Sequence, residues 1–461
     1  MSPEAHPTRE ELEGFMLGDL PAEPTRRVLR HLLSDCDTCQ EATTVMWDVG
    51  ANNTPERPAP LSAAELSGRE SLGRFDYDYA LERVFDRVRR VNTTLQAERT
   101  EAQELLADLL RHPLERRLML VQNSPRFQTW GLCELILQRS SETVGLEPRE
   151  GKETAELAVA VAESLSPVLY GAPLVQDLKA RAWAILGNTN RVLSDFRSAE
   201  QCFQVAESHL ARGTGDRLER ARLLDLKASL RNYQGRTEEA ISLLNRAIAI
   251  YQRAGQRHLL GRTLLNKGHV SMWAGELETS IALLRQGLAL VDPERDARLV
   301  VTSHHNLAYV LNELGRHREA LAIAGRTRQL YLEVGDRLNL LRLEFLEGQI
   351  ALALGRLEQA EGIFREVRRS FSEKEMAYDA ALASLDLAEV YARQGRHADM
   401  QVLAQEMLPI FKSRELQREA IAALIMFQQA AEQDGVTVSL IQEVTGCLQR
   451  VRKHSAGEAA F

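Results

Sequence analysis

Downstream of about residue 180, apolar residues recur three and four positions apart in blocks, and glycines separate successive blocks. Leu307, Ala308, Val310 and Leu311 precede Gly315; Ala320, Leu321, Ile323, Ala324 and Leu330 follow it. Such spacing lines one face of an α-helix, so each block–glycine–block unit predicts a helical hairpin. The glycines stand at Gly235, Gly275, Gly315, Gly355 and Gly395, forty residues apart, and four are followed by Arg236, Arg316, Arg356 and Arg396. Five places after each comes Ala240, Ser280, Ala320, Ala360 or Met400. A period of this length is the mark of a repeat array. Glycine at the junction accepts the left-handed conformation that ends a helix, which costs other residues about 1–2 kcal/mol. The small residue beyond it lets two helices approach. Gly215, Gly255 and Gly335, with Pro293 near the missing place, mark the turns between hairpins.

The rest of the chain is less regular. Thr8 and Glu11 form a capping box for a first short helix carrying Leu12, Phe15 and Met16, and Pro24 opens a second carrying Val28, Leu29, Leu32 and Leu33. Residues 1–50 are therefore read as a small helical module. Residues 51–72, with Pro55, Pro58, Pro60 and Gly68, read as a linker. Apolar stripes at Leu81–Val88 and Leu105–Leu110, then breaks at Pro113, Pro125 and Pro148, predict irregular hairpins over 73–179 that cap the array. Repeats are expected over 180–435, and 436–461 forms a closing helix and tail. The fold class is all-α.

Trp183, Leu186 and Gly187 read W-x2-L-G, and Ala199 and Phe203 read A-x3-F. These residues resemble the tetratricopeptide repeat, whose pattern carries those spacings. Six copies align on the small residues at 199, 240, 280, 320, 360 and 400. The resemblance implies that the first helix of each hairpin lines a concave groove. In that register the inward residues are Arg181, Asn188, Arg222, Asn232, Arg262, Asn266, His269, His305, Asn306, Tyr309 and Asn312, with Arg342 repeating the arginine position. Asparagine can hydrogen-bond a peptide backbone and arginine can hold a carboxylate, so a protein or peptide partner is expected there. The same residues also suit a solvated helix face.

His31, Cys36 and Cys39 form the one chemically pointed cluster. Imidazole and thiolate are zinc ligands, a C-x-x-C supplies two from one turn, and His6, ahead of the first helix, is the natural fourth. A redox pair and two packing thiols stand beside this reading, the redox pair disfavoured because no βαβ pattern surrounds it. The stretch resembles the small zinc-binding domain of anti-sigma factors, through Gly18-Asp19-Leu20, His31 on a second helix and the C-x-x-C behind it. Four residues separate His31 from Cys36 where that family has three. The resemblance implies a structural Zn²⁺ and a sigma factor as second partner.

Composition narrows the rest. A net charge of −8 with no basic segment argues against nucleic acid as a partner. No apolar run reaches membrane-spanning length, and Met1-Ser2-Pro3-Glu4 lacks a signal-peptide pattern, so a soluble cytoplasmic protein is expected. Cys133, Cys202 and Cys447 stand alone on helical stripes and read as packing residues, and Gly213-Thr214-Gly215 reads as a turn. Phosphate-loop, metalloprotease, nucleophile-elbow and dinucleotide motifs are missing. The expected function is non-catalytic protein–protein interaction in regulation; the rival is a regulatory subunit or scaffold of a signalling enzyme.

Overall fold

The computed structural model describes residues 6–8, 11, 21–33, 77–145, 147–407, 418–432 and 435–455, and the chain divides into two units, 1–84 and 85–461. Among the described residues every regular element is helical.

In the first unit, helix α1 (Ala22–Leu33) carries Pro24 in its first turn, where a missing N–H leaves no bond unmade. The predicted capping box is present: Thr8 N donates to Glu11 Oε2 at 2.9 Å, and Glu11 N donates to Thr8 Oγ1 at 3.2 Å. Arg27 on α1 pairs with Glu11, and Val28 is fully buried. Cys36 and Cys39 lie outside the described residues.

Helix α2 (Tyr77–Leu110) continues from residue 85 into the second unit, where α3 (Leu114–Asn123), α4 (Trp130–Thr143), α5 (Pro148–Ser164) and the short α6 (Pro167–Tyr170) follow. The two apolar stripes belong to one helix of 34 residues. Its inward face runs through Leu95, Glu98 and Ala102, and the buried carboxylate of Glu98 interrupts the apolar pattern. Six hairpins come next: α7 (Ala172–Val192) with α8 (Phe196–Leu210), α9 (Arg217–Tyr233) with α10 (Thr237–Arg253), and α11 (Arg257–Trp273) with α12 (Leu277–Leu288). Then come α13 (Ala297–Glu313) with α14 (His317–Val334), α15 (Arg337–Ala353) with α16 (Leu357–Glu373), and α17 (Ala377–Gln394) with α18 (His397–Glu406). The first hairpin thus opens at Ala172, ahead of the expected residue 180. Helices α19 (Arg418–Glu432) and α20 (Val438–Ser455) pack against each other, and α20 also packs on α17.

The five predicted turn glycines all have positive φ, 73° at Gly315, and an added Cβ would meet nothing within 4 Å at any of them. Backbone conformation alone therefore selects glycine there. Ala240, Ser280, Ala320, Ala360 and Met400 are buried, as expected of residues at the crossing of two helices. At Gly348 the constraint is packing instead: a Cβ would lie 2.6 Å from the buried Phe364 ring.

The core forms successive packets. Leu109, Leu132, Ile136 and Leu178 belong to the first large one, Leu284, Val310, Leu311 and Ile350 to a middle one, and Phe364, Phe371, Phe427 and Leu448 to the last. Each hairpin leans on its neighbours. Successive first helices touch (α7 with α9, then α11, α13, α15 and α17 in turn), whereas second helices of neighbouring hairpins barely meet. The stack therefore curves with its first helices on the inside.

Candidate binding surface

The inner face is a set of polar bridges between neighbouring first helices. Arg181 on α7 and Arg222 on α9 share the buried carboxylate of Glu219, with Arg222 Nη1 3.0 Å from Oε1. Arg181 is thus a brace between helices. One turn on, Asn266 of α11 donates to Asp225 Oδ1 at 2.9 Å and to Ser229 Oγ at 3.1 Å, both on α9. Burial pushes Asp225 above the usual carboxylate range, against the pull of that hydrogen bond. Further along, Gln349 of α15 donates to Asp386 Oδ2 of α17 at 2.9 Å. Burial raises Asp386 to about 7, opposed by the Gln349 bond and helped by Glu389 and Glu313.

The other expected groove residues divide by what they touch. Arg262 reaches Asp296 at 3.5 Å and keeps half of its side chain exposed. Asn188 accepts both donors of Arg191 at 3.0 Å. His269 accepts from Trp273 Nε1 at 2.7 Å, and burial with nearby Arg191 lowers it to about 4, so the imidazole is neutral and its proton sits on Nδ1. His305 turns towards its own hairpin, with Nδ1 3.1 Å from the hydroxyl of buried Tyr331. Asn312 binds His317 at 2.9 Å in the hairpin turn. Asn232, Asn306 and Tyr309 are half-buried on the first helices. Sequence reasoning missed Arg191, Tyr233 and Trp273. Register held a signal for two of them, since Tyr233 and Trp273 each stand two places before a turn glycine, forty residues apart.

Among the described residues the remaining thiols and the glycine turn are structural in their contacts. Cys133 is fully buried and burial pushes its thiol up; Cys202 is buried and shifted the same way, and Cys447 is half-buried. The Gly213–Thr214 turn wraps a carboxylate of its own chain, with Thr214 N 3.1 Å from Asp177 Oδ2. In the first unit His6 Nδ1 lies 3.2 Å from His31 Nε2, with the rings edge to face. No described cluster gathers three metal-ligating side chains. No described helix is long and apolar enough to cross a membrane.

Residues 299–373 match the tetratricopeptide repeat family. That segment spans α13 to α16, and the tetratricopeptide-like geometry extends over all six hairpins. A Rap protein crystallised with competence and sporulation factor has a similar fold, at 13% identity and a TM-score of 0.50, over 70% of this chain and 88% of that one. The apo form of RapI is similar at 14% identity and a TM-score of 0.50, over 80% of this chain and 99% of that one. At such identity the tetratricopeptide likeness speaks for the fold. No curated protein matches the chain.

Proposed function

We propose that this protein is a non-catalytic regulator whose tetratricopeptide array holds a protein or peptide partner along the inside of its curve. One observation carries the reading. Arg262, Asn266, His269 and Trp273 follow one another down the inner face of α11, donors and acceptors interleaved with rings, and the second helices lie on the other side of the stack. The crystallised Rap protein of the same fold holds competence and sporulation factor, which supports a ligand for this fold class. In the N-terminal module we propose one structural Zn²⁺ held by His6, His31, Cys36 and Cys39. The His6–His31 nitrogen separation of 3.2 Å supports this. Two imidazole nitrogens at about 2.05 Å from a tetrahedral zinc stand about 3.3 Å apart. Zinc would supply folding energy to a module too small for a large core. By the anti-sigma resemblance the module's own partner is a sigma factor.

Capture from native lysate on the full-length protein tests the array. Partners should be lost, with at least tenfold weaker retention, when Arg222 and Arg262 are both changed to Ala. Helical circular dichroism should not change, because Arg181 still satisfies Glu219. Full retention by the double variant would remove the inner face as the binding surface.

A further inference from the structure

Helix α17 is held by different chemistry on its two sides. With α16 the contact is apolar: Phe364, Val367 and Phe371 share a packet with Ala380, Leu387 and Ala388. With α15, on the inner face, polar contacts cross the seam. Gln349 of α15 donates to Asp386 Oδ2 at 2.9 Å, and Arg393 Nη1 of α17 donates to the Leu352 carbonyl oxygen at 3.4 Å. The register position of Asp386 is Leu226, Asn266, Asn306 and Leu346 in the preceding first helices, none of them ionisable. Only α17 puts an acid there, and it is 7% exposed with no described lysine or arginine paired to it.

The charges that face Asp386 are of its own sign. Glu389 stands one turn further along α17, and Glu313 lies at the end of α13. Glu389 is buried and held by Arg393 at 2.5 Å; Asp379, two turns earlier on the same side of α17, is buried too. From α15 comes the neutral Gln349, while Glu344 and Glu347 pair with Arg328 of α14 and Arg342 donates to Asn339. On α16, Glu361 pairs with Arg396 and Arg365 donates to the Tyr391 hydroxyl, near the turn after α17. The residues that α18 and α20 bury in the packet, among them Met400, Leu403, Ile441, Val444 and Leu448, are uncharged. Burial therefore penalises an ionised Asp386, the two glutamates add to the penalty, and the Gln349 bond opposes both. The neutral acid suits the closed seam. The ionised form needs water, which reaches it when α15 and α17 part on the inner side.

We propose that the α15–α17 seam is a proton-operated hinge, closed while Asp386 carries a proton and opening on the inner face, about the apolar α16–α17 contact, when Asp386 ionises. The curve of the inner face then relaxes at this one junction, between the fifth and sixth hairpins. The hinge needs no ligand and operates whatever the inner face holds. Its direction follows from linkage. Burial raises Asp386 to about 7, so the closed seam holds the proton more tightly than the open one. Closure is complete below about pH 4 and is lost as pH rises through 7.

Hydrogen exchange on the full-length chain, read by mass spectrometry and corrected for the intrinsic pH dependence of exchange, registers even rare openings. Protection of α15 and α17 peptides should fall at least tenfold between about pH 5 and about pH 8, levelling off above about 7. Peptides of α16, on the side that holds, and of α9 should keep theirs. Asp386→Asn, neutral at every pH and close in shape, should remove the fall. Glu313→Gln, which takes away one like charge, should move the levelling point to lower pH, as a purely structural Asp386 would not. Should Asp386→Asn fail to melt like the wild type, Glu313→Gln decides alone, because Glu313 is exposed. An equal fall in wild type and Asp386→Asn, or a levelling point that Glu313→Gln leaves in place, would overturn the proposal. A fall of the same size in α16 or α9 would also overturn it, since the opening would then not be confined to the seam.

Discussion

Side chains that break the local rule are where single residues show their energetic role. Glu375 holds φ at 57° in the turn between α16 and α17, at the place that Gly255 and Gly335 fill in other repeats. It is exposed, so no lost contact complicates a substitution. Glu375→Gly should stabilise the array by roughly 0.5–1 kcal/mol, read as a higher urea midpoint, because it removes the left-handed penalty. Glu375→Ala is the control, and equal midpoints for the two variants would contradict the explanation. Asp386 behaves differently. Its folded value near 7 lies above that of an unfolded aspartate, so the folded state holds the proton more tightly. Stability from this group is complete below about pH 4 and is lost as pH rises through 7. Asp386→Asn should therefore stabilise by roughly 1–3 kcal/mol at pH 8 and change little at about pH 4. A pH-independent difference between variant and wild type would refute it. The turn glycines were legible because positive φ is a property of one residue. Ser194, with φ at 63°, and Glu375 were not, since nothing in their chemistry announces the conformation.

At the scale of elements, buried polar contacts join helices whose apolar stripes alone would permit sliding. Tyr170 Oη donates to Glu98 Oε1 at 2.7 Å and Gly131 N donates to Oε2 at 3.1 Å, so one carboxylate ties α2, α4 and α6. Gly131 allows this because any Cβ would lie 2.6 Å from the backbone at Glu98 and Arg99. Glu98→Ala leaves a buried N–H and a hydroxyl without their acceptor and should cost about 2–4 kcal/mol. Trp130, 5.7 Å from the Tyr170 ring, reports the unfolding by fluorescence. A loss under 0.5 kcal/mol would mean that water replaces the carboxylate. Hairpins after residue 172 were easy to read, because apolar period, turn glycine and small residue agree in most copies, with Ser194 in place of the glycine in the first and Met400 in place of the small residue in the last. Arg191 escaped for another reason. Its contact with the Tyr233 ring exists only between helices from different repeats, and no spacing within one helix encodes it.

For the chain as a whole, the core packets of the array lie between Leu105 and Leu448, far in sequence from the histidines of the first unit. Zinc, if bound as proposed, should then support its own module alone. Purified protein should carry one zinc per chain, and Cys36→Ser or Cys39→Ser should abolish it while the main thermal transition stays within about 1 °C. His6→Ala should lower zinc affinity at least tenfold, and unchanged affinity would exclude it as a ligand. In the array, the bridges between first helices act as joints in a linkage. Joints in series add their compliance, so a free stack of six hairpins is softer end to end than any two of them. A ligand touching a single helix locks no joint. One laid from Asn188 across Tyr233 to Trp273 locks two, and the stiffness it imparts is set by how many helices it spans rather than by how tightly it grips any one.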